Sequence, residues 1–133
     1  MKTLILLVSA SLLSGCALIE AYLLKYDPNE YLQISEIRTT AYLGKTSCDN
    51  QEQAKKQSET IANKTLTFKQ FVEHLPHNDK VKAASIDLDK IAQGFKDQYT
   101  KSDKVSATFC KIKLESIEKS AESMQKIIGD KPR

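Results

Sequence analysis

Two histidines stand in the stretch Glu73-His74-Leu75-Pro76-His77-Asn78-Asp79, where imidazoles and carboxylates crowd together. Such spacing could serve a zinc ion, which takes three or four protein ligands backed by a supporting shell of hydrogen bonds. Pro76 falls between the imidazoles and breaks the helix that would align them. His74 and His77 are therefore weak metal candidates, and polar turn residues are the expected reading. Asp87 and Asp89 are two apart and fall on different faces of a helix, so they do not make an acid/base pair. No glycine-rich phosphate loop and no nucleophile elbow occurs. With only two histidines, both at one turn, few groups could move protons near neutral pH. The residues predict a protein that is not an enzyme and needs no cofactor.

The remaining chemistry lies in three thiols, Cys16, Cys48 and Cys110. Cys16 follows a short positive start at Lys2, an apolar run from Leu4 to Leu13, and two small residues, Ser14 and Gly15. The run has signal-peptide length and is too short to cross a bilayer as a stable helix, which takes about twenty residues. Leu13-Ser14-Gly15-Cys16 resembles the lipobox of bacterial lipoprotein precursors. That resemblance implies cleavage between Gly15 and Cys16, lipid on the Cys16 thiol and a further acyl chain on its amino group. A single myristoyl chain anchors marginally and each buried methylene adds about 0.8 kcal/mol, so several chains anchor permanently. In that family Ala17, in place of an aspartate, favours the outer membrane. The implied location is a lipid anchor facing the periplasm, with membrane lipid as the first partner.

With Cys16 committed to lipid, an oxidising compartment is expected to join Cys48 to Cys110. Residues 1–15 then form the signal peptide, 16–27 the anchor and membrane-proximal segment, 28–129 a helical domain and 130–133 a tail. In 17–26 the apolar positions share one helical face, and Tyr22 and Tyr26 suit a lipid–water boundary. A short helix lying on headgroups or on the domain is expected there.

The formal charge of the whole chain is +3. Residues 16–79 carry seven basic and nine acidic side chains, and 80–133 carry twelve and eight, with the signs interleaved. No clustered basic face of the kind nucleic acid requires is apparent. Tryptophan is absent, glycine and proline are few, and helix-forming residues dominate.

Four apolar stripes follow at three- and four-residue spacing. Asp27-Pro28-Asn29-Glu30 predicts a helix start with Asp27 as cap, Pro28 first and Glu30 completing a capping box. Ile34, Ile37 and Ala41 lead to Gly44, which suits a helix end. Asp49 with Glu52 offers a second cap, before the stripe Ala54, Ser58, Ile61, Thr65, Phe68, Val72, Leu75. Pro76 ends it. Val81, Ala84, Leu88, Ile91 and Phe95 form a third stripe, with a weak break at 99–103. Cys110, Leu114, Ile117, Ala121, Met124 and Ile128 form the fourth, with Gly129 at its cap.

A chain reversal near Asp79 would pair residues whose numbers add to about 158, as those of Cys48 and Cys110 do. Heptad-like stripes match themselves at every shift of seven, so the turn and the cysteines together choose the register. The fold class expected is all-α, an antiparallel bundle of four helices with an internal disulfide. One long helical hairpin, about 70 Å from end to end, satisfies the same pairs. Gly44, the following cap and the usual length of globular helices favour the bundle.

For such a domain the expected work is to bind or block another envelope protein, as immunity, exclusion and inhibitor lipoproteins do. Two alternatives are an envelope-spanning or scaffolding lipoprotein, such as an outer spanin, which would prefer the rod, and a small-ligand carrier. The carrier would use room left in the core by Gly44, Ser58 and Thr65.

Overall fold

The computed structural model describes residues 25–133, in which all regular structure is helical. Four helices run α1 Pro28–Gly44, α2 Gln51–Glu73, α3 Asp79–Lys101 and α4 Ala107–Gly129, with a 3₁₀ turn Lys45–Ser47 after α1. α1 packs on α4 and α2 on α3, while α1 with α2 and α3 with α4 close the ring. This is the up-down bundle, and the long rod is not adopted. At 1.5 Å per residue the 23-residue helices are about 35 Å long.

The expected register is present. Arg38 bonds Gln125 (3.0 Å) and Ser35 accepts from Gln125 (2.9 Å) between α1 and α4, and Lys45, just past α1, bonds Glu118 (2.6 Å) on α4. Lys69 pairs with Asp89 between α2 and α3. Every residue of the first and fourth stripes is buried, and Leu75 alone of the second is only half-buried. Phe68 and Phe95 are the largest side chains sealed from solvent.

The third stripe sits a few tens of degrees from its expected centre. Ala84 and Ile91 are half-buried, while Ser85, Asp89, Ala92 and Tyr99 are buried beside Val81, Leu88 and Phe95. Polar Ser85 and Asp89 hid this: each is buried because it finds a partner, Ser85 on the Lys82 carbonyl (2.7 Å) and Asp89 on α2.

The helix ends also differ in detail. Asp27 caps α1 as expected, accepting from the amides of Asn29 (2.7 Å) and Glu30 (3.3 Å). Glu30 completes no capping box; its side chain turns inward. Asn50, and not Asp49, caps α2 by accepting from the Gln53 amide (3.0 Å), while Asp49 meets Lys111 at 3.4 Å. Ser106 caps α4 through the Phe109 amide (3.1 Å). Gly44 keeps helical backbone angles and no glycine is left-handed among the described residues. The left-handed residue is His77, with φ 54°, in the turn between α2 and α3.

Candidate functional site

The topology gives the bundle two unlike ends. At one, Cys48 and Cys110 form the disulfide, S–S 2.06 Å, both fully buried. The Gln51 side chain there donates to the Val105 carbonyl and accepts from the Val105 amide (3.0 Å), so the 102–106 connection is tied to the start of α2. At the other end the chain leads in at Lys25, α2 turns into α3, and residues 130–133 arrive from α4.

That second end holds a buried charge cluster that sequence reasoning missed. Glu30 is 0% exposed, Asn78 3% and Lys131 8%. Lys131 Nζ donates to Glu30 Oε2 (2.6 Å) and to Asn78 Oδ1 (2.8 Å), and Asn78 Nδ2 donates to Glu30 Oε1 (2.6 Å). Three charged or amide groups thus satisfy one another away from water, the condition under which a buried ion pair is tolerated. The only sequence signal was a glutamate in a first turn, which a capping role explained equally well.

A second buried carboxylate, Asp89, is held by Lys69, by Gln93 (3.0 Å) and by the Thr65 hydroxyl (3.2 Å). Burial by itself pushes its carboxyl up, but hydrogen bonds from Lys69 and Gln93, the Lys69 charge and the Thr65 bond reverse this and hold it below the usual carboxylate range. Tyr99 is the exception to this pairing. Its hydroxyl is buried with no hydrogen-bond partner, and burial pushes its phenol up.

His74 and His77 both lie exposed at the α2–α3 turn. Among the described residues no three His, Cys, Asp or Glu side chains converge as a group able to hold a metal ion. Gly15, Cys16 and most of the 17–26 stretch lie outside the described residues. Of that stretch only Lys25 and Tyr26 are described; they and Asp27 are not helical. No described helix is long and apolar enough to cross a membrane.

The three positions expected to leave room in the core are engaged by other groups. Gln57 occupies the space beside Gly44, Ser58 bonds the Lys55 carbonyl (2.7 Å), and Thr65 serves Asp89 and the Ala62 carbonyl (3.0 Å). A cleft of about 430 Å³ at the lead-in end is lined by Tyr26, Asn29, Leu75, Pro76 and Lys131. On the outer faces Leu32, Tyr42, Leu43, Ile86 and Ile112 are each more than half exposed.

Set against known protein families, curated proteins and solved structures, the chain matches none of them.

Proposed function

We propose that the protein is a lipid-anchored binding or blocking protein. Cys16, given lipid on its thiol before cleavage behind Gly15 and an acyl chain on its freed amino group afterwards, would hold it on the periplasmic face of the outer membrane. The helical bundle would engage another envelope protein without catalysing a reaction, without a cofactor and without nucleic acid. The anchoring half rests on the resemblance of Leu13-Ser14-Gly15-Cys16 to a lipobox.

The binding half is carried by one observation. The buried charged side chains Glu30, Asp89 and Lys131 are satisfied by neighbouring residues, which leaves function to the outer surface. That surface offers Leu32, Tyr42, Leu43, Ile86 and Ile112 as apolar contacts. Scattered apolar side chains are ordinary on any surface, so their use must be tested residue by residue. The scaffolding alternative loses the long reach that favoured it, because α2 and α3 fold back beside α1 and α4. Two contacts weigh against the carrier alternative: Gln57 stands beside Gly44 and Asp89 engages Thr65.

Growth with an alkyne fatty acid tests the anchor: label should appear on the chain that begins at Cys16 and vanish in Cys16→Ser. Cross-linking in intact envelopes should recover one dominant protein partner. Ile86→Glu or Ile112→Glu should weaken that recovery without lowering the melting temperature. Recovery of only lipid and abundant outer-membrane proteins would remove the binding half.

A further inference from the structure

Residues 130–133, read from the sequence as a tail, are folded onto the bundle. The Tyr26 amide donates to the Pro132 carbonyl at 2.8 Å. The Arg133 guanidinium lies over the Tyr26 ring, 5.4 Å from its centre, and that ring packs on Tyr31 at 5.8 Å. One residue before Pro132, Lys131 enters the buried cluster with Glu30 and Asn78. The amides of Asp130 and Lys131 bond the carbonyls of Lys126 (3.0 Å) and Ile128 (3.2 Å), so α4 passes into this segment without a gap.

We propose that 130–133 is a clasp that fixes the angle at which the chain leads into the bundle. Lys131 is its root and Pro132–Arg133 its hook. The root ties three places far apart in sequence: the first turn of α1, the turn before α3 and the end of α4. Its ammonium finds both partners only when all three meet, and a register slip would strand a charge in the interior. The hook then reaches back past Asp27 and holds Tyr26 by backbone and ring together. A joint between a lead-in and a domain is ordinarily a swivel whose backbone polar groups face water. Here the amide of Tyr26 is spent on Pro132, and its ring contacts both Tyr31 and Arg133. Tyr26 is thereby held at a set direction relative to the helix axes, at the end opposite the disulfide.

The clasp is independent of acylation at Cys16, so fatty-acid labelling and the following test can fail separately. The exposed Lys25 precedes Tyr26 and gives trypsin a cleavage point inside the joint. On full-length protein in mild detergent, mass spectrometry follows release of the fragment that begins at Tyr26. Deleting Pro132 and Arg133 leaves the Glu30–Asn78–Lys131 cluster in place and removes only the hook. Loss of one backbone hydrogen bond and one cation–ring contact should raise the cleavage rate at Lys25 about tenfold. The melting temperature should stay as it was. Arg133→Ala, which removes only the ring contact, should raise the rate about threefold and serves if the deletion fails to fold. Unchanged cleavage in both variants overturns the clasp. So does cleavage in the unmodified chain that is already as fast as in the deletion.

Discussion

The Thr65 hydroxyl lies 3.2 Å from the Asp89 carboxylate, across the α2–α3 interface, with Lys69 and Gln93 on the same acid. Asp89 therefore ties the α2–α3 hairpin together more strongly when ionised than when protonated. Its folded-state pKa is lower than its unfolded one, so its contribution is complete above the unfolded value, near 4. It is lost as pH falls through the lower folded value. Chemical denaturation should show stability declining below about pH 4, and Asp89→Asn should flatten that acid limb while lowering stability at neutral pH. An acid limb equally steep in the variant would assign the loss to other carboxylates.

The disulfide closes a separation of 62 residues and is fully buried at both sulfurs. Chain entropy alone assigns a loop of that size about 4 kcal/mol. Cys48→Ser with Cys110→Ser should destabilise by about 2–4 kcal/mol while leaving the helical circular dichroism intact. Because no sulfur is exposed, a small thiol reductant should act only as fast as the bundle opens, and urea should accelerate it. Rapid reduction in the absence of denaturant would mean that the disulfide end opens on its own.

Apolar spacing and the Cys48–Cys110 pair made most of the bundle legible, because both report which faces meet. Two kinds of feature stayed hidden. Glu30 read as part of a capping box and Asp89 only as an acid on another face from Asp87, since their burial depends on Lys69, Asn78 and Lys131, partners 20, 48 and 101 positions away. Gly44 and Gly129 read as conformational stops, yet both keep negative φ, and the left-handed position fell to His77. Burial of a polar group is a property of its partners, which local spacing does not report. The cap moved from Asp49 to Asn50 for a related reason: both are good caps in isolation, and the longer-range pairing of Asp49 with Lys111 accompanies the choice.

Gly44 is a packing residue. A methyl group placed there would come within 2.7 Å of Gln57 Cγ, and Gln57 donates its amide to the Thr40 carbonyl at 2.8 Å. In Gly44→Ala the gain of about 0.5–1 kcal/mol from a better helix former is set against the expulsion of Gln57 and the loss of that bond. The single substitution should be neutral or destabilising. In a Gln57→Ala background the same change should stabilise by roughly 0.5–1 kcal/mol, since the obstruction is gone. Equal effects in the two backgrounds would refute coupling between these residues.

Tyr99 gives the opposite kind of test, an improvement by removal. Its ring is well used, edge-on to Phe95 at 5.6 Å, and the residue is 7% exposed. Its hydroxyl has given up water and gained no hydrogen bond in return. An unsatisfied buried polar group costs about 1–3 kcal/mol, and phenylalanine keeps the ring while deleting the group. Tyr99→Phe should therefore raise stability by about 1 kcal/mol at neutral pH. The alkaline behaviour follows from the same burial. The folded phenol holds its proton to higher pH than the unfolded one, whose value is near 10, so Tyr99 makes stability fall as pH rises beyond 10. The variant should lose that part of the alkaline decline, widening its advantage between pH 10 and 11. Calorimetry at pH 7 and pH 10.5 checks both limbs, and a destabilised Tyr99→Phe would show that the hydroxyl is satisfied in solution by water.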